Sequence, residues 1–523
     1  MKKYIFSICG VLCLVLTSLG QSLPNRYLQN VFNTIQTNKD VVFSTNIPTV
    51  KSFNLFGNFL AYEDTYGQVS TTLKMNIYIP KNDTLTRRPV IIFAFGGGFV
   101  NGSRNEASMV KLCETFAKKG FVTASIDYRL GMNIGDEELS KRAVYRALQD
   151  GRSAVRFFRK NASLYGIDPN QIYISGHSAG AFLAYQAVYL DKDSERPTST
   201  RNYFGRPDLG ALDAIGDNKT YANGNLVSGA ANGVMGFAGA IGDLNYIENS
   251  NDTPGIYFHS SNDSTVPFNC GEPFSYISWL PGLNLPTVYG SNLMNKRANQ
   301  TNTIHSFYSY SNRGHNVHFD GTNLYSDISI NGSQFFYDNF LKPNVTTING
   351  YSSICSTCLT QDYYLPGNAF YYDWQITGGT FTNVNPYSNI VTVNWDASAV
   401  IKTISVTPYS RQLAKVPTLE LEVAINSRGF AKNDTQLQKS DNTLLFPNPF
   451  NEDLELNITS TYRGNIELLI YDLTGRLITD RKIIKSEENI TENIGNDFKN
   501  SGLYIIQINT DKMEPTIYKV LKQ

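Results

Sequence analysis

The chain has 523 residues, 41% of them hydrophobic and 17% charged, with 45 Lys plus Arg against 45 Asp plus Glu. At about 150 residues per domain this leaves room for three or so folded units with apolar material for their cores, which excludes wholesale disorder. The balanced charge also excludes a strongly basic nucleic-acid binder or an acidic tail protein.

Residues 1–20 read as an export signal: Lys2 and Lys3, an apolar run over 5–19, then Ser18 and Gly20 as small residues before a cut ahead of Gln21. Lipoprotein anchoring at Cys13 is disfavoured, because Leu12 rather than a small residue precedes it. No later stretch approaches the twenty apolar residues of a spanning helix. After cleavage Cys113, Cys270, Cys355 and Cys358 remain, in a compartment where disulfides persist. Cys355 and Cys358 have zinc or thioredoxin spacing but lack a second such pair or nearby histidines. A local disulfide or two unpaired thiols is the better reading.

Over residues 21–343 short β-branched or aromatic runs alternate with longer helical ones. Residues 90–95, 121–126, 172–175, 256–259 and 307–310 predict buried strands; residues 109–119 and 138–164 predict helices, the first stopping at Gly120. Alternation of this kind implies right-handed crossovers and a mostly parallel sheet, so this part is an α/β domain. From 344 to 426 the helical signal is gone, and period-two alternation over 390–395 and 401–406 predicts a β-sandwich. Polar residues 427–443 read as a linker, and a second β unit fills 444–523.

The sharpest chemical signal is Gly176-His177-Ser178-Ala179-Gly180, between a strand and an apolar helical run. A serine on such a turn stands above the sheet as a nucleophile, and small neighbours let the backbone pass closely. His177, at the variable position, is read as structural. Upstream, the strand over 90–95 runs into Gly96-Gly97-Gly98-Phe99. Acyl transfer builds negative charge on a former carbonyl oxygen, and the amides of Gly97, Gly98 and Ala179 are candidates for the hole that stabilises it. A glycine-rich strand exit without catalytic duty is the bland alternative.

Phe-Gly-Gly-Gly-Phe over 95–99 followed by Gly-His-Ser-Ala-Gly resembles the α/β-hydrolase carboxylesterases and lipases with an HGGGF-type oxyanion motif. Asp127-Tyr-Arg-Leu130 and the segment 149–158 fit the same family, so the resemblance spans nearly all of 60–340. It implies an α/β-hydrolase fold followed by two small all-β domains, and a serine esterase needing no metal or organic cofactor. Phe95 departs from the pattern by replacing the family's loop-organising histidine. In this fold the acid and then the base follow the serine. Gly314-His315 is similar to the family's glycine–histidine loop, which makes His315 the base, with His318 as alternative and His305 further from the pattern. The run 259–267 is similar to an HGxxDxxVP motif, which makes Asp263 the acid, with Asp243 as runner-up. The insertion 191–231 is placed to cover the mouth of such a site, with a surface excursion as the alternative; its aromatics Tyr203, Phe204 and Tyr221 offer stacking on sugar or aryl groups, with ordinary packing the stronger reading.

Phe446-Pro-Asn-Pro-Phe450, Ile470-Tyr-Asp-Leu-Thr-Gly-Arg476, Ser501-Gly-Leu-Tyr504 and Lys519-Val-Leu-Lys522 resemble the C-terminal sorting domain of type IX secretion. The preceding sandwich looks like a PKD or immunoglobulin-like spacer. Together these resemblances imply an exported or cell-surface esterase acting on carboxylic esters, acetyl or feruloyl esters of polysaccharides among them, with the type IX machinery as partner. A peptidase or polyester depolymerase on the same fold, and a non-catalytic binding protein, are the competing readings.

Overall fold

A computed structural model describes residues 25–53, 60–275, 282–426, 431–432, 442–446, 450–459, 462–472, 476–487, 489–510 and 513–522. The expected export signal, most of the expected linker, and the middle residues of two sorting motifs (447–449 and 473–475) lie outside the described residues.

Eight strands form the central sheet: β1 (Ile35–Thr49), β2 (Val69–Pro80), β3 (Arg88–Ala94), β4 (Val122–Ile126), β5 (Ile167–His177), β6 (Gly233–Phe237), β7 (Gly255–Ser260) and β8 (His305–Tyr310). Their order is β1-β2-β4-β3-β5-β6-β7-β8. β1 pairs antiparallel with β2, and β2 antiparallel with β4; every later pairing is parallel. This is the expected α/β-hydrolase architecture. The five strands read from sequence are β3, β4, β5, β7 and β8; the first four carry buried apolar runs as expected, whereas β8, at the sheet edge, has no buried residue, because it has a neighbour on one side alone. β1, β2 and β6 were not read as strands. The first is polar and bulged in three places, and the last, Gly-Val-Met-Gly-Phe, is rich in glycine.

Four helices matter for the site. α1 (Ala107–Lys118) buries Met109, Leu112, Cys113 and Phe116, one stripe at helical spacing. α2 (Glu137–Lys160) starts at Asp136, whose carboxylate accepts from the N–H groups of Glu138 and Leu139 at 2.9 and 3.0 Å. α3 (Ala179–Tyr189) is buried along its whole length, the mark of a helix inside the core. α4 (Ser291–Thr301) lies just before β8 in the chain. Among the described residues no helix is long and apolar enough to cross a membrane.

The chain separates into two compact units, one comprising residues up to 350 with 356–425, the other 351–355 with 426–523. Within the first, two three-stranded antiparallel sheets, Thr360–Tyr364 with Ile390–Trp395 and Gly379–Asn383, and Tyr371–Thr377 with Thr403–Tyr409 and Leu419–Glu422, follow the hydrolase segment. The loop after Tyr409 fastens to that segment: Ala414 joins the main core, and Gln412 donates to Asp168 at 2.8 Å. Cys355 and Cys358 are disulfide-bonded, whereas Cys113 and Cys270 are free. In the second unit, seven strands form sheets of three and four around Phe450, Leu456, Leu468, Ile470 and Ile506. Tyr504 of the Ser-Gly-Leu-Tyr motif packs edge-on against Phe498, and Phe498 against Phe450. Ala431–Lys432, inside the expected linker, pairs instead with Tyr351 and Ser353 as a short strand.

Candidate active site

β5 ends at His177 and α3 begins at Ala179, leaving Ser178 as the only residue between strand and helix. It takes φ 54° and ψ −121°, a conformation that costs a non-glycine residue on the order of 1–3 kcal/mol. Its N–H donates to Phe237 O at 2.9 Å, and its carbonyl accepts from Ala181 and Phe182. The flanking glycines are sterically required: a Cβ on Gly176 would overlap the Gly180 backbone, and one on Gly180 the Ala94 carbonyl.

His315 stands over this serine with Nε2 2.9 Å from Ser178 Oγ, while its Nδ1 lies 2.8 Å from Asp263 Oδ2. Asp263 is fully buried. Its Oδ1 accepts from the N–H groups of Thr265 and Val266 at 2.8 and 3.0 Å, and its Oδ2 also meets His259 Nε2 at 3.2 Å. Burial by itself would raise the Asp263 pKa, but hydrogen bonds from His259 and His315 and the charge of His315 outweigh it. The carboxyl is held well below the usual range.

The alternatives sit elsewhere. His318 is buried against Phe237, with ring centroids 5.1 Å apart; neither ring nitrogen has a hydrogen-bond partner, and burial pushes its pKa well below 6.5. His305 opens β8 and bonds to Thr303 O and Asn295. Asp243 accepts from the Asn245 N–H. His177 contacts the carbonyl of His315 through Nε2 at 3.0 Å and is lowered to about 3, first by burial and then by His315. The imidazole is therefore neutral and its N–H supports the backbone of His315.

Gly97 has φ 109°, where a side chain is strained, and a Cβ there would also overlap the Asn101 carbonyl. Among the described residues the N–H groups of Gly97, Gly98 and Ala179 make no recorded hydrogen bond, although all three residues border the cavities beside Ser178. Phe95 stacks on Tyr128 at 4.4 Å, and the Tyr128 hydroxyl donates to Phe95 O at 2.8 Å. The aromatic pair thus braces the loop where the family pattern has histidine.

Two cavities meet at the serine. One, of about 560 Å³, is bordered by Phe99, Ala179, Phe182 and Val266 and by residues 194–198 of the insertion. The other, of about 660 Å³, is bordered by His315, Asn316, Asn101 and Leu283. Ser178, Gly98 and Phe274 border both. The insertion is tied along α2. Arg142 donates to the carbonyls of Ser199, Arg201 and Pro207, Tyr145 to that of Gly210, and Gln149 to those of Leu209 and Ala211. Tyr203, Phe204 and Tyr221 border neither cavity; Phe204 and Tyr221 are also exposed rather than packed as expected, because they sit on polar turns of the insertion.

Comparison with known proteins places these features. Residues 75–276 match the family model BD-FAE, and residues 444–523 match the Secretion system C-terminal sorting domain. The chain carries a BD-FAE α/β-hydrolase domain. It is joined to a sorting domain of the type IX kind. Gut esterase 1 of Caenorhabditis elegans is 36% identical to the chain over 110 residues, 21% of this chain and 19% of that protein. Bile salt-activated lipase of Rattus norvegicus is 31% identical over 133 residues, 23% of this chain and 21% of the lipase. Neuroligin-like protein glit-1 of C. elegans is 37% identical over 115 residues, 21% of this chain and only 15% of that protein. The chain therefore spans a quarter or less of these relatives. Among solved structures, an esterase of Thermogutta terrifontis with propionate bound aligns with 23% identity and a TM-score of 0.37, over 56% of this chain and 94% of that one.

Sequence reasoning did not find His259, Tyr128 or Arg142 as parts of the site. For His259 a signal existed in its spacing of four residues from Asp263, but the contact forms only because the chain folds back after β7.

Proposed function

We propose that the BD-FAE domain hydrolyses carboxylic esters through an acyl-enzyme, with Ser178 as nucleophile, His315 as general base and acid, and Asp263 as the group that orients His315. The observation that carries this reading is the continuous hydrogen-bond chain from Ser178 Oγ through His315 to Asp263, at the junction of two cavities. His315 Nε2 takes the serine proton as Oγ attacks the ester carbon, and the amides of Gly97, Gly98 and Ala179 receive the oxyanion. The C–O bond to the alcohol then breaks, and His315 returns its proton to the leaving oxygen. Water, deprotonated by the same nitrogen, attacks the acyl-enzyme and releases the acid and Ser178.

The division into a catalytic segment over 21–343, a spacer over 344–426, a linker over 427–443 and a sorting segment over 444–523 belongs to the same proposal. The sorting domain sends the protein across the outer membrane to the surface or the medium. Ester groups on polysaccharides, acetyl or feruloyl, suit an enzyme delivered there.

The test is hydrolysis of a short-chain 4-nitrophenyl ester by the full chain, its Ser178→Ala and its His315→Ala variants, with fluorophosphonate labelling beside it. Wild type turns over and is labelled at Ser178, and each variant loses about three or more orders of magnitude. A folded, unlabelled and inactive wild type would favour the binding-protein reading.

A further inference from the structure

We propose that the 560 Å³ cavity is the acyl chamber, that it selects uncharged acyl groups larger than acetyl, and that the alcohol departs through the 660 Å³ cavity. This rests on the ester-hydrolase reading and extends it to specificity.

The assignment follows from where the proton must go. The nitrogen that takes the serine proton must reach the leaving oxygen, so the alcohol occupies the side that holds His315. That side is the larger cavity, whose wall includes His315 and Asn316. The acyl group is then directed to the other side, past Ala179 and Phe182 on α3, where no histidine borders the space. An acetyl group has the bulk of only about two waters, at roughly 30 Å³ each. It would leave most of a 560 Å³ chamber unfilled. Near the serine the wall is apolar: Phe99, Phe182, Val266 and Phe274, continued by Val144 and Val288. Each added methylene that enters it is worth up to about fourfold in binding.

Farther out the wall is charged, and unevenly. Glu138, Glu195, Asp243 and Glu248 face Lys141 and Arg196. Lys141 is already engaged by Glu137 and Glu138 at 2.8 and 2.7 Å, and Arg196 by Asp193 and Asp208 at 3.0 and 2.5 Å. Neither cation is free to receive an acyl carboxylate; Glu195 and Glu248 are themselves paired with Lys192, which leaves Asp243 as the wall carboxylate without an ion pair among the described residues, placed to repel one.

The experiment holds the leaving group constant and varies the acyl group: 4-nitrophenyl acetate, butyrate, hexanoate and octanoate, with the full chain. The expected result is a kcat/KM that climbs by up to about fourfold per methylene from acetate to hexanoate. In Val144→Trp the ratio of octanoate to acetate falls tenfold or more. The mono-4-nitrophenyl ester of glutaric acid is cleaved at least tenfold more slowly than the pentanoate, and Asp243→Asn, which preserves the turn to Asn245, narrows that gap. Acetate cleaved as fast as hexanoate, or glutarate as fast as pentanoate, overturns the chamber assignment while the esterase reading stands. If no ester is cleaved and Ser178 is not labelled, both fall together.

Discussion

Asp263 receives four donors: two backbone amides on Oδ1, and His315 and His259 on Oδ2. His259 is buried, its other nitrogen lies 3.1 Å from Ser291 Oγ, and Phe268 packs edge-on against its ring. Its contact with Asp263 draws on the same oxygen that orients the base. In His259→Leu the carboxylate loses one donor and its charge bears more fully on His315. With that donor gone the carboxylate is held less firmly beneath His315, and kcat falls by about 10- to 100-fold, the weight of one hydrogen bond to a charged group. His259→Gln, which keeps a donor, restores part of the rate; an equal loss in both variants would reduce His259 to packing. The turn of Ser178 and the glycine loop at 96–98 were legible as structure because each is written in a few adjacent residues at the end of a strand. The partners Asp263 and His315 needed the fold's order and the family's loops to be singled out. His259 and the Phe95–Tyr128 brace were not legible, because they are contacts between loops that only the folded sheet brings together.

At the scale of elements, α2 organises the insertion beside the chamber. Arg142 binds three carbonyls of that segment and pairs with Glu63; Arg142, Glu63 and Ser199 are buried, whereas Arg201 and Pro207 lie at the surface. Arg152 and Arg156 hold Asp213, and Arg159 reaches the carbonyls of Ser228 and Ala230. Arg142→Met strands the buried Ser199 carbonyl and leaves Glu63 with Arg146 alone, at a cost of about 1–3 kcal/mol. We expect a lower Tm and early tryptic cleavage after Arg201 while the sheet stays folded. Cleavage that begins only with global unfolding would show that the segment is not held by this residue. The length of α2 was legible from its periodicity and nearly matches the expected 138–164. What it carries was not, because arginine at a helix position does not announce which distant carbonyls it will meet.

For the whole molecule, the buried histidines set the response to acid. His177 is lowered to about 3 and His318 well below 6.5. Below about pH 6.5 the unfolded chain takes up protons at both positions that the folded chain refuses, so stability rises with pH across this window. Each contributes a slope of about 1.4 kcal/mol per pH unit until its folded value is reached. Asp263 acts in a separate window: its stabilisation is fully present above the unfolded carboxylate pKa of about 4 and is lost only as pH falls through its lower folded value. Urea midpoints at pH 7, 6 and 5 should therefore decline, and His318→Phe should remove about one proton's worth of that slope while keeping the stack on Phe237. An unchanged slope would place the acid sensitivity elsewhere. The bonds that fix the segment over 199–211 end mostly on main-chain carbonyls, and every amino acid supplies one. Side chains there can be exchanged without untying the anchor, so the stretch that ties down wall residues 194–198 tolerates sequence drift while the chamber it supports keeps its shape.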